Sequence, residues 1–306
     1  MNKHFLTLKD FSKAELQEFL TLAKDLKAKR TTHGQPLLDK SVVMMFSKPS
    51  NRTRISFEIG AKELGASTVY LGDKEISLGE RESLEDVAEV VSRYAHMLVV
   101  RTFAHEDLLT LAKHASIPVI NALTDACHPC QTLADILTIM EHKKKALEDL
   151  KIVYVGDGNN MLHSWLYGVA VMGLNFVYST PQDYQPQRTI VEEAQRMAQH
   201  SGAQIVYVED PQEAVSSGDI VYTDVWASMG QEDEVEKRSK IFLPYQVNEA
   251  LLKNAKDDVS LMHCLPAHRG LEVNETVLNG PHSIIFDQAE NRLHAQKAIM
   301  QMLSAI

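Results

Sequence analysis

Short runs of consecutive apolar residues alternate with stretches whose apolar positions recur every three to four residues, along almost the whole chain. Ser41–Phe46 (SVVMMF) has no polar residue after its first, the pattern of a strand covered on both faces. Arg52–Leu64 then shows helical spacing, with Ile55, Ile59 and Leu64 on one side. A strand at Ser67–Leu71, a helix at Leu84–Tyr94, a strand at Met97–Val100 and a helix at Glu106–His114 repeat the pattern. A short strand at Pro118–Ile120 and a helix at His128–His142 close this first series. A second series opens with the β-branched run Lys151–Val155 (KIVYV). It continues with helix Met161–Met172, strand Asn175–Ser179, helix Ile190–His200, strand Gln204–Val208 and strands Asp219–Thr223 and Val259–Met262. A final amphipathic helix, about Ala289–Leu303, can pack on either half.

Regular alternation of strand and helix predicts parallel sheets with right-handed crossovers. The expected class is α/β: two doubly wound domains, each a central parallel sheet flanked by helices. The charged stretch Glu141–Leu150 (EHKKKALEDL) sets the expected boundary. That gives domains 1–145 and 146–306, with the last helix (about 289–304) free to return to the first. A length of 306 residues suits two domains of ~100–200 residues each. Ligands of such sheets gather at the carboxyl ends of the strands, so the segments after strands are where chemistry is expected.

Composition narrows the class. With 44% hydrophobic and 24% charged residues the chain reads as an ordinary globular protein. A formal charge of -10 sets up a field that repels phosphate backbones, so no nucleic-acid partner is expected. No apolar run approaches the ~18 residues of a membrane helix, and the start of the chain turns polar by Lys9 and Asp10, unlike a signal peptide. Three cysteines, an odd number, favour reduced thiols in a cytoplasm over a disulfide framework.

Five segments that follow strands carry candidate chemistry. In Phe46-Ser47-Lys48-Pro49-Ser50-Asn51-Arg52-Thr53-Arg54, Ser50 can cap a helix whose first amides and dipole form an anion site, with Arg52 as a fork of donors. The bland alternative is a plain cap with two surface arginines. His128-Pro129-Cys130-Gln131 opens another helix and can reach a small polar ligand; Cys127 and Cys130 also fit a C-x-x-C redox or metal pair, though no second ligand pair accompanies them. Asp224 to Gly230 places an acid, a serine and a glycine after a strand, suited to an ammonium or amino acid, or simply to capping. Met262 to Gly270 crowds Cys264, His263 and His268 beside Leu265-Pro266, where a cis bond would mark a tight turn; a lone buried cysteine is more often a small core residue than a reagent. Gly156-Asp157-Gly158-Asn159-Asn160 tempts a dinucleotide reading, but Met161 stands where the third glycine belongs.

Taken together these segments resemble the carbamoyltransferase family and, within it, the ornithine branch. The likeness runs from about Val42 to Arg292. The family's S-T-R-T-R appears as Ser50-Asn51-Arg52-Thr53-Arg54, and H-P-x-Q as His128-Pro129-Cys130-Gln131. The ornithine branch is marked by D-x-x-x-S-M-G, here Asp224 to Gly230, and by H-C-L-P, here His263 to Pro266. The resemblance implies transfer of a carbamoyl group from carbamoyl phosphate to the side-chain amine of L-ornithine, without metal or organic cofactor. It implies that Ser50, Asn51, Arg52 and Thr53 hold the phosphate, with Arg101 and His128 on the carbonyl oxygen. Gln131, the Cys264 and Leu265 backbone and Arg292 then hold the carbamoyl end. Asn160, Asp224, Ser228 and Met229 bind the amino-acid head, and Cys264 sits against the amine. Cys264, Arg101 and His128 are thus the implied catalytic group, and a trimer of two-domain subunits, or a multiple of trimers, the implied assembly. Two positions depart from the pattern. Asn51 replaces a threonine, and Ser77 stands where many members carry a glutamine that reaches a neighbouring subunit. The rival classes are transfer to another acceptor such as putrescine or an acylated ornithine, a non-catalytic ligand-binding relative, and a dehydrogenase.

Overall fold

The computed structural model describes residues 4–76, 82–227 and 232–305. Contacts divide the chain into two compact units, Met1–Leu137 with Glu290–Ile306, and Thr138–Ala289. The division falls within the helix Pro129–His142, upstream of the 145/146 junction expected from the charged stretch, and the end of the chain belongs to the first unit.

The first unit is built on β1 (Ser41–Phe46), β2 (Ser67–Gly72), β3 (Met97–Arg101) and β4 (Val119–Leu123). All pairings are parallel and the order is β2-β1-β3-β4. β1 and β3, in the middle of the sheet, are buried along almost their whole length, which is why they read as unbroken apolar runs. The second unit carries β5 (Lys151–Val155), β6 (Asn175–Ser179), β7 (Gln204–Tyr207), β8 (Ile220–Thr223) and β9 (Ser260–His263), all parallel, in the order β7-β6-β5-β8-β9. Each sheet is therefore wound outward in both directions from its first strand. The direction of winding reverses between β1 and β3 in one unit and between β5 and β8 in the other. In sheets of this kind a crevice opens at that reversal, at the carboxyl ends of the two strands.

The elements follow the periodicity closely, with two corrections. The helix Asn51–Glu63 does not bury Ile55 and Ile59, which are 53% and 41% exposed; its buried side is Thr53, Phe57, Gly60 and Ala61. The reason is close helix packing. A Cβ on Gly60 would lie 3.1 Å from Lys297 Cγ and 3.3 Å from Met300 Cε of the C-terminal helix, so small residues mark the buried face. That C-terminal helix, Ile285–Leu303, is not amphipathic where it matters, since residues 291–300 are all buried. Two of its polar side chains are engaged inside the first unit by residues far away in sequence. Lys297 Nζ donates to Glu63 Oε2 at 2.7 Å and lies 2.7 Å from His33 Nε2, while Lys27 Nζ donates to Asn291 Oδ1 at 2.8 Å.

The longest element absent from the sequence reading is the helix Lys13–Ala28; the shorter helices Pro211–Val215 and Val235–Phe242 were absent as well. The signal for Lys13–Ala28 is present. Ser12 and Glu15 form a capping box, and Leu16, Phe19, Leu20, Ala23 and Leu26 repeat at helical spacing and are buried.

Candidate active site

In the first unit, the polar groups at the end of β1 and β3 form one connected cluster. Ser50, in extended conformation, caps the helix Asn51–Glu63 by accepting from the Thr53 amide at 3.3 Å, and its hydroxyl donates to Thr53 Oγ1 at 3.0 Å. Arg292 Nη2 donates to the same Thr53 Oγ1 at 3.0 Å and Nη1 to Gln131 Oε1 at 2.6 Å. Gln131 Nε2 in turn donates to Asp135 Oδ1 at 2.8 Å. The Ser47 amide bonds the Arg101 carbonyl at 2.8 Å, which fixes the β1 turn beside the end of β3. Asn51 is exposed and Arg52 half-buried on the first turn of the helix.

Charge is concentrated here. Arg101, Arg292 and Lys48 are all at least nine-tenths buried. Lys48 pairs with Asp125 and lies 3.9 Å from the Phe103 ring centroid. Burial first, then the charges of Arg292 and Arg101, hold His128 well below the usual imidazole range. His128 is therefore neutral near pH 7 and can donate one N–H without carrying charge. Cations beside a helix N-terminus favour an anion there.

The neighbouring thiols are not reagents. Cys130 Sγ donates to Asn121 O at 3.2 Å, Asn121 Nδ2 donates to Cys127 Sγ at 3.2 Å, and burial pushes both thiols up to about 12. A thiol that stays protonated is a poor nucleophile, which weighs against the redox reading of Cys127–Cys130.

In the second unit the corresponding place, between β5 and β8, is built from different chemistry. Asp224, just past β8, accepts from Asn159 Nδ2 on Oδ2 at 2.8 Å and from Cys264 Sγ on Oδ1 at 2.9 Å. Asn159 also caps the helix Asn160–Met172, its Oδ1 accepting from the Met161 and Leu162 amides at 2.9 and 3.3 Å. Asn160 begins that helix, and its carbonyl accepts from Ser164 Oγ at 2.8 Å. Leu265 follows Cys264 with φ +58° and a cis bond to Pro266; its amide donates to His263 Nδ1 at 2.8 Å. Ser228 and Met229 lie outside the described residues, as does Ser77.

Asp224, His263 and Cys264 bring one ligand atom each within 4.8 Å of one another. His263 is already committed at both nitrogens, accepting from Leu265 at Nδ1 and facing buried Glu272 Oε1 at 3.1 Å from Nε2. The trio is therefore wired for hydrogen bonding, not metal ligation. The dinucleotide reading fails on geometry as well. The Asn159 side chain occupies the helix amides a pyrophosphate would need, and the backbone of Tyr184–Pro186 packs on Gly158, whose amide donates to Tyr184 O at 3.0 Å.

Asn159 was not singled out from sequence, although an asparagine before an apolar helix is a cap signal. Nor were Asp157 and Arg238, which meet at 3.1 Å. A cavity of about 500 Å³ in the first unit, lined by Lys40, Val42, His96, Met97 and Leu303, opens at the amino-terminal ends of β1 and β3. That is the wrong end of the sheet for the ligands of such folds.

A two-unit α/β protein with one donor-rich and one acid-centred cluster, each at its own sheet's winding reversal, is the architecture of a transferase for two small polar substrates. The carbamoyl-phosphate-binding domain of aspartate/ornithine carbamoyltransferases matches residues 3–141 and their Asp/Orn-binding domain residues 148–303, and the chain belongs to this family. It is 50% identical to the ornithine carbamoyltransferase of Anoxybacillus flavithermus over 98% of this chain and 96% of that protein. It is 49% identical to that of Thermococcus kodakarensis, over 97% and 95%. Among solved structures, ornithine carbamoyltransferase from Pyrococcus furiosus superposes with a TM-score of 0.94 at 45% identity, over 97% of this chain and 95% of that one. The anabolic enzyme from Campylobacter jejuni gives 0.95 at 38%, over 99% of each.

Proposed function

We propose that this protein transfers the carbamoyl group of carbamoyl phosphate to the side-chain amine of L-ornithine, giving L-citrulline and phosphate. The observation that carries the reading is the Asp224 carboxylate, fixed by Asn159 and Cys264 at the end of β8. A negative group held by two neutral donors is a ready partner for the α-ammonium of an amino acid. Putrescine also ends in an ammonium but lacks the α-carboxylate, so the acceptor comparison below is what separates the two.

The first unit takes carbamoyl phosphate. Ser50, Asn51, Arg52 and Thr53 hold the phosphate at the helix N-terminus, where amides and dipole favour an anion. Gln131 and Arg292, already bonded to each other, hold the carbamoyl end with the Cys264 and Leu265 backbone. Arg101 and neutral His128 donate to the carbonyl oxygen as it becomes an oxyanion; each such donor contributes on the order of 3–4 kcal/mol. Asn160, Asp224, Ser228 and Met229 bind ornithine, with Cys264 against its amine. The attacking nitrogen forms the C–N bond, the C–O bond to phosphate breaks, and the nitrogen gives up a proton. A lysine-like amine, pKa ~10.4, is neutral in only about one molecule in 10³ near pH 7, so the site must favour the neutral form. Desolvation and cations such as Arg101 and Arg292 push in that direction.

The finer statements rest on the same reading. The carbamoyl-phosphate domain is taken as residues 1–145 completed by the last helix, and the ornithine domain as the remainder to that helix. A homotrimer, or a multiple of one, is what the family resemblance implies; exposed Ile55, Ile59 and, on the edge strand β2, Val69 offer apolar surface to such a contact. A cytoplasmic location is supported by three cysteines that are all free. Among the described residues no helix is long and apolar enough to cross a membrane.

The test is citrulline formation by purified protein with carbamoyl phosphate, comparing ornithine, putrescine and N-acetylornithine as acceptors. Turnover confined to ornithine supports both halves of the proposal. Turnover with another acceptor overturns the second half, and none with any acceptor overturns the whole.

A further inference from the structure

Arg238, on the helix Val235–Phe242, is only 7% exposed and is held from several sides at once. Its Nε donates to Glu234 Oε2 at 2.7 Å. Its Nη1 donates to the Trp226 carbonyl at 2.8 Å and lies 3.1 Å from Asp157 Oδ1. The guanidinium also stands 4.8 Å from the Tyr184 ring centroid, and the Tyr184 carbonyl is bonded by the Gly158 amide. Asp157 precedes Asn159 in the turn after β5, and Trp226 follows Asp224 in the turn after β8. One buried side chain thus joins the two turns on either side of the winding reversal, the two that carry the acid-centred cluster.

We infer that Arg238 and Asp157 are positioning residues for the acceptor amino acid, setting the spacing between the β5 turn with Asn159 and Asn160 and the β8 turn with Asp224. The inference rests on the proposed carbamoyl transfer to ornithine. Neither residue needs to touch substrate. A planar guanidinium suits this work, because its donors diverge at fixed angles and can reach a carbonyl, a carboxylate and a glutamate together. A second strand of bonding runs parallel to it: Tyr154 OH donates to Asp157 O at 3.0 Å and lies 3.2 Å from Asn159 Oδ1. Asp157 therefore connects Arg238 to the cap residue that bonds Asp224.

The connection is sensitive to protonation. Burial, opposed by Arg238 and reinforced by Asp224, raises Asp157 to about 6. The groups facing it are Arg238, Asp224, the Tyr154 hydroxyl and the Gly158 amide. As pH falls through about 6 the carboxylate takes a proton and loses its ionic hold on Arg238.

The experiment compares Arg238→Met, Arg238→Lys and Asp157→Asn with the parent in the full-length protein, measuring KM for each substrate and kcat across the acid and neutral range. Arg238→Met is expected to raise KM for ornithine at least ~10-fold while KM for carbamoyl phosphate stays within about 2-fold. Arg238→Lys, which keeps the charge but not the fork, should fall between parent and Arg238→Met. In the parent, KM for ornithine, expressed on the neutral-amine form so that the substrate's own titration cancels, should rise as pH falls below about 6, and in Asp157→Asn that rise should disappear. An unchanged ornithine KM in both Arg238→Met and Asp157→Asn overturns the inference, as does a parallel shift for both substrates. Should Arg238→Met not fold, the isosteric Asp157→Asn decides. A parent that makes no citrulline overturns the proposed function and this inference with it, whereas an active parent with unaltered variants overturns the inference alone.

Discussion

The two winding reversals occupy equivalent places in two similar sheets, yet they are furnished in opposite ways. At β1/β3 the groups are donors and cations: Arg101, Arg292, Lys48 and a neutral His128, with a helix N-terminus whose serine cap takes the Thr53 amide. At β5/β8 the centre is the Asp224 carboxylate, and the helix N-terminus is occupied by Asn159 at two amides. The backbone supplies the same crevice in both; the cap and a few side chains decide which charge it welcomes. A helix N-terminus capped at one amide and set among arginines suits a phosphate, and one capped at two amides beside an acid suits an ammonium group.

That contrast breaks most visibly at the donor-rich end. Arg101→Ala should lower turnover at least ~10²-fold, because it removes a charged donor to the developing oxyanion. Steady-state kinetics with saturating ornithine checks it, and near-parent turnover would remove Arg101 from the catalytic group. At the acid-centred end, Asp224→Asn replaces an acceptor bonded by two donors with an amide that can accept at only one atom. Loss of one charge-assisted bond, about 1.5–3 kcal/mol, should raise KM for ornithine by roughly 10- to 100-fold. Carbamoyl-phosphate binding, measured by calorimetry, should be almost unmoved; equal weakening of both ligands would show that the two clusters are not chemically separate.

The smallest effect concerns stability. His128 is depressed in the folded protein by burial and by Arg292 and Arg101, so below its ordinary value near 6.5 the unfolded chain binds a proton that the folded chain refuses. Its contribution is therefore intact above about 6.5 and is lost as pH falls, by about 1.4 kcal/mol per pH unit. Denaturant unfolding of the parent and His128→Asn at pH values on either side of 6.5 should show a shallower acid slope in the variant. Identical slopes would mean that His128 is charged in the folded state.

The sequence was most informative where structure is local. Central strands such as Ser41–Phe46 and Lys151–Val155 are legible because burial on both faces leaves an unbroken apolar run. Ser50, Asp224 and Cys264 were found because each follows such a strand. The buried side of Asn51–Glu63 was misread because Gly60 and Ala61 signal close approach, which hydrophobicity does not register. Arg238 and Asp157 were invisible for another reason: a pair far apart in sequence leaves no periodic trace. Asn159, whose side chain donates to Asp224, was overlooked beside Asn160.

The place of Arg292 has a consequence for how the molecule comes into being. Thr53 and Gln131 are made early, and the guanidinium that joins them arrives on the last helix, in a segment that belongs to the first unit. A ribosome that has finished the opening strands has therefore not yet supplied the first unit's own interior. That unit must wait, with the face destined for residues 291–300 still uncovered, until those residues have been made.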